Sequence, residues 1–224
     1  MVPTKDFNAE RLVSQVDQNC MGIVLECGYK PKSTRDKRNR YPFPKRVETE
    51  ESRKPWEPCC FKFEMVKQIK RLNPKLAVVV RGIMTVEDAM RAAESGASAV
   101  WVHNDGSFFS SAPSPISVLP YIAEALKKYY PNVEVFFQGG IRRGSDVLKA
   151  VAFGASAVFL DPEFPLWAIY RSGEAESLGE MLTMLNEELK LCMVLTHCMA
   201  IRQVDKAHVI QWIQGKQQQV RFKL

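Results

Sequence analysis

Residues 88–100 read DAMRAAESGASAV and residues 146–158 read DVLKAVAFGASAV, an internal repeat with an offset of 58 residues. The same offset pairs Gly82-Ile83 with Gly140-Ile141. Upstream of each copy stands a short apolar run rich in β-branched or aromatic residues, LAVVV (76–80) and VEVFF (133–137). Downstream stands a second, AVWV (99–102) and AVFL (157–160). Each copy therefore reads strand, Gly-containing turn, helix, strand. Apolar runs without alternation are expected where both faces of a parallel sheet are covered.

Between the copies, SPISVLPYIAEALKKYY (114–130) places Ile116, Leu119, Ile122, Ala123 and Leu126 on one helical face. An earlier strand, GIVLEC (22–27), precedes a helix, FKFEMVKQIKRL (61–72). The order β-α-β-α-β-α-β suits a (β/α) barrel or a doubly wound sheet, and repeated βα units favour the barrel. The predicted strands are 22–27, 76–80, 99–102, 133–137 and 157–160. The residues before the first of them predict one helix over 9–19, and 174–198 and 204–216 both read as helical. The expected fold is α/β: an incomplete (β/α) barrel of about five parallel strands with outer helices, forming one domain over 1–224.

Composition agrees with a globular chain of this kind. The 224 residues are 46% hydrophobic and 25% charged, which argues against disorder, collagen and coiled coil. No apolar run is long enough to cross a bilayer, and the polar start MVPTKDFNAERL lacks a signal-peptide core, so no membrane role and no secretion are expected. The six cysteines form no C-x-x-C pair and the three histidines are scattered, so free thiols and no metal site are expected. The net charge of +6 is concentrated between Lys30 and Lys54, where ten Lys/Arg face four Asp/Glu. With Pro31, Pro42 and Pro44 and no periodicity, residues 28–55 read as a long basic loop; the alternative is a nucleic-acid patch, although no RNA-binding motif accompanies it.

The stretch QGGIRRGSDVLKA (138–150) joins the fourth strand to a helix and has the parts of a phosphate cradle. Gly139 and Gly140 permit close backbone approach, Arg142 and Arg143 can pair with phosphate oxygens, and Ser145 or Asp146 can cap the helix. The alternative is a tight turn with solvated arginines.

These blocks resemble the FMN-dependent 2-hydroxyacid oxidases and dehydrogenases, the glycolate oxidase group. QGGIRRGSDVLKAVAFGASAVF is similar to the family block D-G-G-x-R-R-G-x-D-x-x-K-A-x-x-x-G-A. IVLECGYKPKSTRDKRNRY (23–41), VVVRGIMTVEDA (78–89), HNDGSFFSSAPSPISVLPYI (103–122) and NEELKLCMVLTHC (186–198) resemble further blocks in the family's order. The resemblance implies an eight-stranded TIM barrel with FMN at the C-terminal strand ends. It implies a histidine that takes the α-proton, and arginines that hold the substrate carboxylate.

At the matching positions the residues differ. Asn104 stands for the catalytic histidine, with His103 one residue earlier, and neutral Asn cannot act as a base. Ser107 and Ser33 stand for the two substrate arginines, with Lys32 beside the latter, and Glu26 for the aspartate that orients the histidine. Val24 and Val102 replace flavin-contacting hydroxyl residues, Arg81 the flavin-ring lysine, and Gln138 the aspartate of the Gly-Gly turn. Asp161-Pro162 replaces a second phosphate-binding Gly-Arg pair.

The resemblance thus leaves no catalytic residue, and leaves Arg81, Gly139, Gly140, Arg142 and Arg143 as candidate FMN-binding residues. The expected role is a catalytically impaired 2-hydroxyacid oxidase-like protein, an interaction or regulatory subunit partnering itself or a full-length relative; the alternative is a residual FMN-binding oxidoreductase. The sequence ends Phe222-Lys223-Leu224, close to but not matching a peroxisomal S-K-L tail, so peroxisome or cytoplasm is expected.

Overall fold

The computed structural model describes residues 7–16, 20–27, 61–104, 112–161, 166, 169–170, 176–213 and 216–219. The basic 28–55 segment, Ser107, Pro162 and the Phe222-Lys223-Leu224 tail lie outside the described residues. The elements are α1 (Ala9–Gln15), β1 (Gly22–Glu26), α2 (Phe63–Leu72), β2 (Ala77–Ile83), α3 (Val86–Glu94), β3 (Ala99–Val102) and α4 (Pro115–Tyr129). They continue with β4 (Glu134–Gln138), α5 (Gly144–Ala152), β5 (Ala157–Phe159), α6 (Glu176–Leu195), β6 (Ile210–Ile213) and β7 (Lys216–Gln219).

Strands β1 to β5 form one sheet in sequence order, and every neighbouring pair is parallel. The two copies of the repeat are built alike, bond for bond. In each, a glycine with positive φ closes the helix: Gly96 (φ 92°) and Gly154 (φ 101°). The following serine N–H then donates to the preceding strand, Ser98 to the Val78 carbonyl at 2.8 Å and Ser156 to the Val135 carbonyl at 2.7 Å. The repeated Gly-Ala-Ser therefore ends a helix and starts the next strand in register.

One face of the sheet carries Leu25, Val80, Val100 and Val135 in one row, and Ile83, Val102 and Phe137 in the next. All seven are buried, together with Val66 and Ile69 of α2, Ala89 and Ala92 of α3, Leu119, Ile122 and Leu126 of α4 and Leu148 of α5. The opposite face, carrying Val24, Val79, Trp101, Phe136 and Phe159, is only half-buried. This corrects the expectation of strands covered equally on both faces: the helices pack on the outer side of an arc.

Residues 204–216 do not form the expected helix. A 3₁₀ turn at Lys206–His208 is capped by Asp205 and leads into a two-stranded antiparallel hairpin of β6 and β7, pairing Ile210 with Gln219 and Ile213 with Lys216. Two residues, Gln214-Gly215, separate the strands in the sequence, and a Gly-containing two-residue spacer is a hairpin signal that outweighs the weak helical spacing.

Candidate functional site

Because β1 to β5 are all parallel, their C-terminal ends gather at one rim of the sheet, where Glu26, Arg81, His103, Gln138 and Asp161 sit on or just beyond five successive strands. The register places Glu26 directly opposite Arg81. Their side chains form an ion pair, with both groups largely withdrawn from solvent. Arg81 Nη2 also donates to Gln138 Oε1 at 3.4 Å, and its guanidinium lies 5.5 Å from the Trp101 ring centroid. Gln138 Nε2 donates to Asp161 Oδ1 at 3.2 Å, and Asp161 Oδ2 accepts from the Gly140 N–H at 2.9 Å. A continuous polar chain thus runs from β1 to beyond β5 and ends on the Gly-Gly turn.

Both glycines of that turn have positive φ. Gly139 (φ 144°) passes Pro115 so closely that a Cβ would lie 2.9 Å from the ring, whereas Gly140 (φ 74°) faces open space. Four N–H groups of the turn and the start of α5, those of Gly140, Arg142, Arg143 and Gly144, are met by carboxylates of the chain. Asp146 Oδ2 accepts from the N–H groups of Arg142 and Arg143 at 3.2 and 3.1 Å. Glu188 of α6 accepts from the Gly144 N–H at 2.9 Å, and its other oxygen lies 3.6 Å from Arg143 Nη1. Of the two expected caps, Asp146 takes this role, reaching back from the third helical position, while Arg143 itself is the N-cap residue. The turn thus brings Gly139, Gly140, Arg142 and Arg143 together, and Arg81 reaches them through Gln138 and Asp161.

The replacement positions are also placed. His103 is buried, and its Nδ1 lies 3.3 Å from the Gln138 carbonyl. A carbonyl only accepts, so in this contact Nδ1 carries the proton and the ring ties β3 to β4. Asn104 donates its amide to the Pro113 carbonyl at 2.8 Å, bracing the entry to α4. Among the described residues no group of three His, Cys, Asp or Glu could hold a metal ion, and no helix is long and apolar enough to cross a membrane.

Sequence reasoning missed an aromatic cluster on the half-buried face. Trp101 stacks on Phe159 with centroids 4.0 Å apart and meets Phe136 edge-on at 6.2 Å. Its buried Nε1 finds no hydrogen-bond partner among the described residues. The signal in the sequence was an aromatic residue in each of three apolar runs, Trp101, Phe136 and Phe159, which the register sets on one face.

Comparison with known proteins fits this geometry. The FMN-dependent dehydrogenase family matches residues 4–211. Human 2-hydroxyacid oxidase 1 is 38% identical over 148 residues, covering 66% of this chain and 38% of its own length. Glycolate oxidase 3 of Oryza sativa subsp. indica is 40% identical over 136 residues, covering 60% and 36%. The chain thus spans less than two-fifths of the length of these curated relatives. A mandelate oxidase structure with (S)-2-phenylpropionate superposes with a TM-score of 0.69 at 31% identity over 88% of this chain and 57% of its own. A lactate oxidase structure from Pediococcus acidilactici gives 0.59 at 36% identity over 66% and 40%. The five-stranded arc is accordingly an incomplete TIM barrel, and the chain belongs to the FMN-dependent dehydrogenase family.

Proposed function

We propose that this chain is a 2-hydroxyacid oxidase-like protein without the oxidase reaction, and that it acts as an interaction or regulatory subunit towards a copy of itself or a full-length relative. The observation that carries this reading is the Asp161 carboxylate on the Gly140 N–H. FMN brings a phosphate that needs backbone donors and cations. Here Gly140, Arg142, Arg143 and Gly144 already give their N–H groups to Asp161, Asp146 and Glu188. An added phosphate at Gly140 would face the Asp161 carboxylate, and like charges in contact repel. The candidate flavin-ring cation, Arg81, is committed to Glu26. The residues present therefore do not fit FMN, and no step of hydroxyacid oxidation is derived through it.

The proton-transfer side of the chemistry is equally short of parts. Asn104, at the position of the family's base, has no basicity; the adjacent His103 is buried and donates Nδ1–H to the Gln138 carbonyl, leaving Nε2 as its basic nitrogen.

The absorbance spectrum of the purified chain, before and after adding FMN, tests the reading. A colourless protein unchanged by FMN, with no oxidation of glycolate, lactate or mandelate, is the expected result. A second reading, retained FMN binding through Gly139, Gly140, Arg142, Arg143 and Arg81, is favoured by the open space in front of Gly140. Yellow, stoichiometrically bound flavin would establish it in place of the first.

A further inference from the structure

We infer that Asp161 is the built-in ligand of the strand-end cradle and the residue that excludes phosphate from it, an inference that rests on the reading of the site as closed to FMN. Three observations converge on this carboxylate. Both oxygens are used, one on the Gly140 N–H at 2.9 Å and one on the Gln138 amide at 3.2 Å, so it bridges the end of β4 and the chain leaving β5. Gln138 is buried and is itself held by Arg81 Nη2 at 3.4 Å, which fixes the amide so that its NH₂ points at Asp161. Gly140 adopts φ 74°, a conformation that favours glycine, and in it the N–H is directed at the Asp161 carboxylate. The anion that uses it is supplied by the chain's own next strand end.

The cradle then has a definite logic. Asp146 and Glu188 satisfy the N–H groups of the helix start, as N-terminal carboxylates do in many helices. Asp161 differs from both because it meets the glycine turn itself, ahead of α5, from just beyond β5. Removing it frees the Gly140 N–H beside the exposed side chains of Arg142 and Arg143, while Asp146 and Glu188 stay on the helix start; one backbone donor with two nearby guanidinium groups is a donor set suited to a phosphate dianion.

The test uses the whole chain and inorganic phosphate, followed by backbone-amide NMR. In the native protein, scalar coupling across the hydrogen bond between the Gly140 amide and the Asp161 carboxyl is expected, with slow exchange of that amide. Phosphate should leave the Gly140 resonance in place. In Asp161→Gly, and in Asp161→Ala as a second variant, the Gly140 amide should lose its protection. Phosphate should then shift Gly140, Arg142 and Arg143 together, with affinity about tenfold or more above the native chain. Absence of coupling and protection at Gly140 in the native chain would overturn the inference without any variant. So would phosphate binding at Gly140 in the native chain, or folded variants that ignore phosphate. The outcome separates from that of the functional reading: a native chain that takes up flavin while Gly140 stays protected refutes the reading and leaves Asp161 as the turn's ligand, whereas a colourless chain whose Asp161 variants ignore phosphate refutes only the inference.

Discussion

Arg81 and Glu26 show what a sequence conveys about a single residue and what it withholds. Each was identifiable by its place in a family block, yet neither block says that the two face each other. That depends on the β1–β2 register, which pairs Glu26 with Arg81 across 55 residues of chain. Both side chains are largely buried, so deleting one charge strands the other. Glu26→Ala is expected to cost about 3–5 kcal/mol in urea denaturation, and Glu26→Leu combined with Arg81→Met should recover more than half of that loss. The glycines of the repeat give a second case. Gly96 and Gly154 occupy equivalent positions with positive φ, so alanine at either should cost about 1–2 kcal/mol from backbone strain. At Gly154 the new Cβ would also lie 2.6 Å from Ala123 Cβ, while at Gly96 the nearest atom is a lysine Cγ at 3.4 Å. Gly154→Ala is therefore the more damaging change, and Ala123→Gly should rescue it but not Gly96→Ala. Equal losses at the two sites in thermal unfolding would refute the steric part of this argument.

At the scale of elements, the five strands and the helices between them were legible because each is an apolar run or an amphipathic stretch bounded by Gly or Pro. The ends agree with the observed elements within one or two residues for α2, β1, α4 and β4. The miss at 204–216 has a physical cause. Its side-chain spacing fits a helix weakly, while the Gln214-Gly215 spacer and the partner strand are what settle the pairing, and a partner strand is a non-local feature. Another non-local feature is the α5–α6 contact. Gly144 opens α5 with its backbone so close to α6 that an added Cβ would lie 2.2 Å from the Leu189 nitrogen and 2.6 Å from the Glu188 carbonyl carbon. Backbone cannot step aside as a side chain can. Gly144→Ala should push the helices apart, break the Gly144–Glu188 bond and cost at least the ~1–3 kcal/mol of ordinary overpacking. Glu188→Gln removes the charge but keeps an acceptor for the same N–H, so it should cost about 1 kcal/mol or less. Urea midpoints for the two variants check the order.

For the whole molecule, the arc leaves β1 and β5 each paired on one side only among the described strands, with the aromatic face between them half-buried. The repeat made the arc legible, because both copies carry the same strand–helix–strand unit and add parallel strands in sequence order. The polar chain along the rim was not, because it is assembled from residues on or just beyond four separate strands. On the outside, α6 turns Leu185 and Leu189 towards the core and presents Met184, Leu191, Val194 and Leu195 to solvent, with Val194 and Leu195 69% and 71% exposed. Met184, Leu191 and Leu195 recur at helical spacing with Val194 beside them, so they form a stripe rather than scattered side chains. Such a stripe fits the proposed role in association, and it makes association measurable. Sedimentation velocity of the purified chain should show a species larger than the monomer that grows with concentration. Leu191→Lys with Leu195→Lys should return it to monomer while the circular dichroism spectrum and the unfolding midpoint hold, since neither side chain packs inward. A native chain that stays monomeric across tens of micromolar would remove self-association from the proposed role and leave a different partner as the occupant of that surface. Dimers that persist in the double variant would place the interface at the sheet edges or the half-buried aromatic face instead, where Trp101→Ala would be the next change to make.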